Sequence, residues 1–276
     1  MKKNTLIPFL LCGACVFFLV ACPIKVPDLS EKRIRSYVVA FGEATSFGME
    51  LTDRNNILLY WTPYWRPDLT PGQTPTRWVS FQSRGVERQR YDALATQYGD
   101  LSYYRITRFN GLPPRMYVSN RIVSIDVRSD MDFNAEYPAG ASLAGFVRLL
   151  SVSPIRFIES GYRETFDWHR NYPVDFLRET ATFHQFIPGD LTSNNRWIPL
   201  YPNHFPISGM LSELEQDDFR LLGIGREFLP SMRWAGWFFG FLVFDKEPEN
   251  LGTHNLTVTI YRTCGQMLSQ TIEKTF

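Results

Sequence analysis

The chain has 276 residues, of which 44% are hydrophobic, 21% charged and 15% aromatic, and its 29 Lys and Arg residues nearly balance its 28 Asp and Glu residues. This composition excludes an intrinsically disordered chain and a collagen-like repeat, because it is rich in residues that form cores. Its near neutrality excludes a strongly basic nucleic-acid-binding domain.

The first 21 residues are typical of an export signal. Lys2 and Lys3 precede an apolar run, Leu6 to Val20, that is too short to span a membrane. The run leads into Leu19-Val20-Ala21-Cys22, which resembles the bacterial lipobox, where the cysteine is acylated and becomes the new N-terminus. We therefore expect residues 1–21 to be a lipoprotein signal peptide and Cys22 to carry palmitate-like acyl chains. The alternative is an ordinary export signal followed by a buried thiol.

The rest of the chain divides into a short tether and one folded unit. Residues 22–36 contain two prolines and few large apolar side chains, which predicts a tether between lipid and fold. No linker or repeat divides residues 37–276, so we expect a single domain. Signal removal leaves only Cys22 and Cys264, and lipidation of Cys22 would leave Cys264 without a disulfide partner. Cys264 is then expected to be a small buried hydrophobic residue.

An aromatic segment between residues 60 and 78 provides the candidate ligand site. It is interrupted by too many prolines to be a central strand along its whole length. Exposed indole and phenol rings form flat apolar surfaces that suit sugar rings or a protein hot spot. The residues of this candidate platform are Trp61, Tyr64, Trp65 and Trp78. The alternative is that these rings pack into the core.

Helical signals are few. The first predicted helix covers residues 86–98, and the basic stretch at its start, Arg84 to Arg90, includes Glu87 and indicates a solvated helix face rather than a nucleic-acid site. A second helix is predicted over residues 143–150, with Ser142 as its N-cap.

A third helical signal lies near residue 215. Ser212 and Glu215 have the spacing of a capping box ahead of the apolar residues Phe219, Leu221 and Leu222. The neighbouring pair Asp217-Asp218 is explained by the favourable position of acidic residues at a helix start.

The strongest secondary-structure patterns are those of strands. In residues 121–128, Val123, Ile125 and Val127 alternate with polar residues, which is typical of a half-buried strand. Residues 237–244 are apolar on both faces and predict either a central strand or one that faces a lipid or partner surface.

The C-terminus predicts a β-hairpin. Residues 256–261 alternate in the same way, Gly265 supplies a left-handed turn position, and residues 266–272 form a second β-compatible run. Together these elements predict a mainly β fold, a β-sandwich with a few short helices, for which an immunoglobulin-like arrangement is one candidate.

Two blocks resemble a known family. In residues 125–143 a strand ends in Ser-Asp, continues through Asp-Phe-Asn and turns at Pro138-Ala139-Gly140 before Ser142-Leu143. With the strand, glycine turn and strand of residues 254–272, this block is similar to a family of uncharacterised lipoproteins from the Bacteroidetes. The resemblance implies an envelope lipoprotein and supplies no catalytic residue.

The residues after Cys22 bear on location. Surface-exposed lipoproteins of that group tend to carry an acidic stretch after the lipidated cysteine, and residues 23–28 of this chain lack one. Position 23 is proline rather than aspartate, so retention in the inner membrane is not signalled. We therefore expect the periplasmic side of the outer membrane.

Motifs for catalysis and metal binding are absent from the sequence. It contains no Gly-x-Ser-x-Gly, Ser-x-x-Lys or phosphate-loop pattern. The four histidines, which are widely spaced, form no ligand pair; they are His169, His184, His204 and His254. Asp130 and Asp132 lack the rest of a calcium loop and are better explained as turn caps.

One tight polar cluster remains. Glu164 and Asp167 lie close to His169 in the sequence, and an exposed loop explains them better than a catalytic site does. We expect no metal and no cofactor.

The sequence thus favours a lipid-anchored, non-catalytic binding module for a glycan or an envelope protein, with no nucleic-acid partner. Two alternatives stay open. The first is a structural subunit of an outer-membrane assembly, which predicts an exposed apolar strand at residues 237–244. The second is a hydrolase, which requires His169 or His184 to meet a carboxylate in a pocket.

Overall fold

The structure is a computed structural model, and its strand content confirms the predicted mainly β fold. Of the residues that the structure describes, 43% are in strands and 13% in helices, with two α-helices, consistent with a β-sandwich with few short helices. The residues that the structure describes are 33–52, 55–62, 76–103, 105–106, 116–119, 121–167, 170–171, 203–223, 225–227, 236–263 and 265–276.

Fourteen strands and three helical segments are found in these residues. The strands are β1 Arg33–Ile34, β2 Ala40–Glu43, β3 Phe47–Leu51, β4 Ile57–Trp61, β5 Arg77–Ser80, β6 Arg105–Ile106, β7 Met116–Val118, β8 Ile122–Ser129, β9 Val147–Ser153, β10 Phe205–Met210, β11 Gly225–Glu227, β12 Gly236–Phe244, β13 Thr253–Arg262 and β14 Met267–Thr275. The helical segments are α1 Gly85–Gln97, α2 Ile155–Glu159 and the 3₁₀ helix Gln216–Phe219.

The largest sheet has six strands, with β12 in its middle. Its order is β10-β9-β12-β4-β3, and β11 also pairs with β12. Every described β12 side chain from Phe238 to Val243 is buried. The prediction of a central strand that is covered on both faces is therefore confirmed.

The C-terminal hairpin is part of a three-stranded antiparallel sheet in the order β14-β13-β8. Gly265 has a φ of 74° and its N–H donates to the Arg262 carbonyl, so the predicted left-handed turn position is confirmed. Buried and less buried residues alternate along β13, as the period of two predicts.

Strand β8 forms where it was predicted, but the prediction that Val123 faces inward was wrong. Ile122 is buried and Val123 is 37% exposed, whereas Ile125 and Val127 are buried. The reason is an irregularity in the ladder: Arg262 pairs with Ile122 and the preceding Tyr261 pairs with Ser124. Val123 is thus an extra residue, and a bulge of this kind shifts the alternation by one position.

The six-stranded sheet and the hairpin sheet share one hydrophobic core. It contains Leu59 of β4, Phe239 of β12 and Leu149 of β9 together with Val127 of β8 and Val258 of β13. Apolar faces from the two sheets thus shield each other from water, which is the arrangement of a sandwich.

The predicted helix over residues 143–150 is wrong. The Leu143 N–H donates to the Val127 carbonyl, residues 144–146 form a turn, and strand β9 begins at Val147. An apolar run of this length does not distinguish a buried strand from a helix by its period. Residues 147–153 form a strand because they pair with β10 on one side and with β12 on the other.

The third predicted helix has its N-cap at Glu215, three residues later than the predicted N-cap Ser212. The 3₁₀ helix is capped by Glu215, whose backbone N–H donates to the Asp218 carboxylate at 2.9 Å in a reciprocal capping box. The Ser212 N–H instead donates to the Ala144 carbonyl. The acidic residues Asp217 and Asp218 lie in the first turn, as expected.

A smaller sheet, in the order β5-β2-β7, lies beside the sandwich and carries α1. β2 and β7 are parallel, and β1 pairs separately with β6. A second hydrophobic cluster joins this sheet to both α-helices through Phe41, Tyr91, Ala95, Tyr98 and Phe157.

The expected signal peptide, Cys22 and most of the expected tether lie outside the described residues, as does Cys264. Strand pairing begins at Arg33, near the end of the segment predicted to be a tether. Among the helices of the described residues, none is both long and apolar enough to cross a membrane.

Candidate functional site

Helix α1 forms one wall of the candidate site and confirms the predicted helix over residues 86–98. Its buried side chains are Tyr91 and Ala95, which lie on one face one turn apart. Tyr91 and the following Tyr98 both pack on Phe41 of β2, with ring centroids 5.6 and 5.7 Å away. The opposite face is charged and exposed.

Two of the three arginines in the basic stretch at the start of α1, Arg88 and Arg90, are held in ion pairs. Arg90 pairs with Glu43 at 2.6 Å, and Glu87 pairs with Arg77 at 3.3 Å. This arrangement agrees with the interpretation of a solvated helix face.

A Schellman motif ends α1 and turns the chain toward β2. Gly99 has a φ of 67°, its N–H donates to the Thr96 carbonyl, and the Asp100 N–H donates to the Ala95 carbonyl. A left-handed glycine with these two bonds is a common helix terminus. It places the Asp100 side chain beneath the helix, next to the segment that leads into β2.

The Asp100 carboxylate fixes this segment. It is fully buried and accepts hydrogen bonds from the Tyr37 N–H at 2.6 Å, the Val38 N–H at 2.8 Å and the Tyr162 hydroxyl at 2.9 Å. A buried carboxylate is stable only when such donors replace its hydration. The bond network therefore holds residues 36–38 rigidly against α1.

Between this segment and α1 lies a cleft of about 440 Å³, which we call the α1 cleft. Its polar and aromatic lining consists of Arg35, Ser36, Phe81, Arg88, Tyr91 and Asp92. Leu101, which is 48% exposed, and the helix residues Ala95 and Thr96 complete it.

An arginine and an aspartate form a fixed polar pair in the α1 cleft. The Arg88 Nε lies 2.9 and 3.0 Å from the two Asp92 carboxylate oxygens, and Arg88 Nη1 donates to the Phe81 carbonyl at 2.8 Å. Both side chains are about half exposed, so each keeps sites that face solvent and a ligand. Such a pair offers hydrogen-bond donors and acceptors a few ångströms apart.

A second guanidinium lines the α1 cleft from the other side. Arg35 is exposed, and its side chain makes no hydrogen bond or ion pair with the described part of the chain. It is therefore able to donate several hydrogen bonds to a ligand.

The Tyr91 phenol forms part of the cleft floor and is held as a neutral group. Burial raises its pKa to about 12, although Ser36 and Arg88 oppose the rise. Its hydroxyl donates to the Val38 carbonyl at 2.7 Å, and the Arg88 guanidinium lies 5.7 Å from its ring centroid. Tyr91 thus acts as packing and as a hydrogen-bond donor, not as a nucleophile, at neutral pH.

The aromatic platform predicted from the sequence is not formed by Trp61. The Trp61 side chain is 3% exposed and lies in the sandwich core, so its assignment as a ligand contact was wrong. Trp61 is the last residue of β4, and all five residues of that strand are buried. Its position is therefore set by the strand and not by the proline-rich segment that follows. Trp78 is half-buried at the edge of the same core. Tyr64 and Trp65 lie outside the described residues.

The described histidines are structural. His204 is buried and bonds to the Tyr117 hydroxyl, and burial lowers its pKa to about 4. His254 is buried between the Ser129 hydroxyl, at 2.8 Å, and the Asn250 carbonyl, at 3.1 Å. His169 and His184, on which the hydrolase alternative depends, lie outside the described residues.

Asp130 bonds to Asn255 of β13, so the expectation that it caps a turn is wrong, whereas Asp132 bonds within the loop that follows it. Asp130 accepts bonds from the Asn255 backbone and side chain at 2.8 and 2.7 Å, and these bonds lower its pKa. Asp132 accepts a bond from the Ala139 N–H at 2.7 Å. Among the residues that the structure describes, no group of three or more His, Cys, Asp and Glu is arranged to hold a metal ion.

In the described residues, Glu164 and Asp167 of the predicted polar cluster contact different partners. Glu164 pairs with Arg156 at 2.6 Å, and the Asp167 carboxylate accepts the Arg170 N–H at 3.2 Å. His169 itself is outside the described residues.

Comparisons with protein-family models, with curated proteins and with solved structures find no match to this chain. The resemblance to Bacteroidetes lipoproteins therefore stays a prediction. Function is therefore inferred from the geometry of the α1 cleft.

The residues that build the α1 cleft are not recognisable as a site from the sequence. Arg88 and Asp92 were visible only as a helical charge pair four residues apart, and Gly99-Asp100 only as a helix end. Nothing in the sequence connects Asp100 to Tyr37, because 63 residues separate them.

Proposed function

We propose that the chain is a lipid-anchored protein of the bacterial envelope, on the periplasmic side of the outer membrane, and that its folded part is a non-catalytic module that binds a glycan in the α1 cleft. The observation that carries the binding site is the convergence of the Arg88–Asp92 pair, the Arg35 guanidinium and aromatic side chains around one cleft.

The size of the cleft favours a small ligand over a protein surface. Its volume of about 440 Å³ lies within the range of roughly 300–1,000 Å³ that is usual for small-molecule sites. Protein partners are generally bound on wider patches of about 800 Å² for each partner.

The chemistry of the lining favours a glycan. A sugar ring presents adjacent hydroxyl groups that both donate and accept hydrogen bonds, and the Arg88–Asp92 pair supplies both functions at a fixed spacing. The same ring has apolar C–H faces that pack on aromatic or aliphatic side chains, which Phe81 and Leu101 supply.

The floor of the cleft supports binding without a large ordering cost. The three hydrogen bonds of Asp100 and the packing of Tyr91 on Phe41 fix the backbone and helix before a ligand arrives. A preformed site loses less conformational entropy on binding.

The structure does not provide the exposed apolar strand that the scaffold alternative requires. That alternative rested on an exposed apolar strand at residues 237–244, and the described side chains of that strand, from residue 238 on, are buried or half-buried within the chain. The glycan proposal therefore stands ahead of it.

A glycan array tests the binding function. Full-length protein in detergent is expected to bind a restricted set of glycans, and Arg88→Gln is expected to weaken the best one at least tenfold, since it removes a charge-assisted donor. Arg84→Gln changes an exposed arginine outside the cleft and is the matched control. A silent array, or Arg88→Gln with wild-type affinity, would contradict the proposal.

The anchor is tested separately, because it depends on the lipobox-like residues 19–22 alone. Metabolic labelling with radioactive palmitate is expected to mark the wild-type chain and to be lost in Cys22→Ala. Equal labelling of the two chains would disprove lipidation at Cys22.

A further inference from the structure

A second cleft, separate from the glycan proposal, lies where α1 ends beside β8 and the 3₁₀ helix. Its volume is about 220 Å³, and we call it the Arg121 cleft. The side chains relevant to its chemistry are Gln97, Tyr98, Arg121, Gln216, Asp217 and Arg220.

Two guanidinium groups converge on this cleft. Burial raises the pKa of the Tyr98 phenol, and the positive charges of Arg121 and Arg220 are the two largest effects that oppose the rise. Both cations therefore act on the same group in the cleft wall. The Tyr98 hydroxyl is itself occupied, because it donates to the Ser119 carbonyl at 3.2 Å.

The two arginines differ in what holds them. Arg220 is 27% exposed and is fixed by Glu159 at 2.6 Å, with Asp217 further away at 3.9 Å. Arg121 is exposed, and its guanidinium makes no ion pair or hydrogen bond with the residues that the structure describes. Arg220 thus contributes a positioned charge, and Arg121 contributes donors that are free to bind.

The remaining lining adds neutral donors and little negative charge. Gln97 and Gln216 contribute carboxamide groups, each with two N–H donors. Among the described residues of the lining, Asp217 is the one acidic residue, and its side chain is 86% exposed, so solvent screens its charge.

From this geometry we propose that the Arg121 cleft binds a small oxyanion, a carboxylate or phosphate group, through the Arg121 guanidinium. A planar guanidinium matches two oxygens of either group with two parallel hydrogen bonds. The Arg220 guanidinium, whose charge is partly balanced by Glu159, lines the same cleft, and the carboxamides of Gln97 and Gln216 can donate to the remaining oxygens. The cleft volume suits an oxyanion or the anionic end of a small metabolite, not a sugar chain.

Isothermal titration calorimetry of the full-length protein in detergent, in a phosphate-free buffer with constant chloride, tests the proposal. Inorganic phosphate and acetate are the two probes, and saturable binding of at least one is expected. Arg121→Gln is expected to weaken that binding at least tenfold. Arg84→Gln, an exposed arginine outside this cleft, is expected to bind as the wild type does.

The two probes separate the sources of the anion. Tighter binding of phosphate indicates a phosphorylated ligand, and tighter binding of acetate indicates a carboxylate. Absence of binding by both, or equal binding by Arg121→Gln and wild type, would overturn the proposal. Melting curves of both variants check that the fold is intact, and the outcome is independent of the glycan array because no residue of the α1 cleft is changed.

Discussion

The Trp61 indole is stacked on the Phe239 ring, with 4.2 Å between ring centroids and 18° between ring planes. The two residues belong to the adjacent strands β4 and β12 in the middle of the six-stranded sheet. Stacked rings in a core contribute through both buried area and ring geometry. The aromatic residue that the sequence offered as a ligand contact is therefore part of what holds the sandwich together.

Replacement of Trp61 by alanine is expected to destabilise the protein without affecting the α1 cleft. Removal of a buried indole leaves a cavity and costs about 3–5 kcal/mol in the free energy of unfolding. Urea denaturation measures this loss. Leu251→Ala, at a residue that is 67% exposed, is the control and should change stability by less than about 0.5 kcal/mol. A Trp61→Ala protein as stable as wild type would contradict the placement of Trp61 in the core.

Asp100→Asn is expected to lower the free energy of unfolding by about 3 kcal/mol, because an amide NH₂ would replace one acceptor facing the Tyr37 and Val38 N–H groups. The measurement is again urea denaturation. Asp92→Asn makes the same chemical change at a side chain that is 54% exposed and should cost about 0.5 kcal/mol or less. Equal effects of the two substitutions would show that Asp100 does not fix residues 36–38.

His204 is expected to make the fold sensitive to mild acid. Burial lowers its pKa from 6.5 to about 4, so between these values the unfolded chain binds a proton that the folded protein does not. Stability is complete above pH 6.5 and falls as the pH drops toward 4, by about 3 kcal/mol in all.

The His204 prediction is checked by urea denaturation at several pH values between 6.5 and 5, where most carboxylates stay charged. The slope of stability against pH should become smaller in His204→Phe. The comparison uses slopes, because this substitution also removes the partner of the Tyr117 hydroxyl. An unchanged slope would show that His204 does not titrate as a buried group.

Lys274 is expected to make the stability of the fold depend on pH in the alkaline range. Its side chain is 4% exposed, its ammonium donates to the Asn55 carbonyl at 2.5 Å, and burial lowers its pKa from 10.5 to about 8. Between pH 8 and 10.5 the unfolded chain holds a proton that the folded protein has lost, so stability should rise with pH in this window. Denaturation curves at these pH values should show the rise in wild type and not in Lys274→Met.

Local patterns predicted much of the sheet structure, because strand alternation and glycine turns depend on near neighbours. Strand β13 and the turn at Gly265 are examples. The wrong predictions concern residues whose structure depends on the strands they pair with. The apolar run of β9 fits a helix or a strand, and a bulge displaces Val123 from the alternation of β8. Neither partner is visible from the local sequence.

The candidate site was harder to predict because it is built from distant segments. Arg35 and Arg88 line the same cleft because Asp100 and Tyr91, both at or near α1, bond to the backbone of residues 37 and 38. Trp61 lies in a segment rich in aromatic residues, but the sequence does not show whether an indole is buried or exposed. Composition could not separate a core residue from a binding residue.

Hydrogen–deuterium exchange of the full-length protein, with and without the glycan that binds best on the array, shows which segments the glycan protects. The glycan is expected to slow exchange in residues 35–38 and 85–101, which border the α1 cleft, and Arg88→Gln is expected to abolish this protection. Protection confined to other segments, or no change on addition of any glycan, would contradict the claim that the α1 cleft is a glycan-binding site.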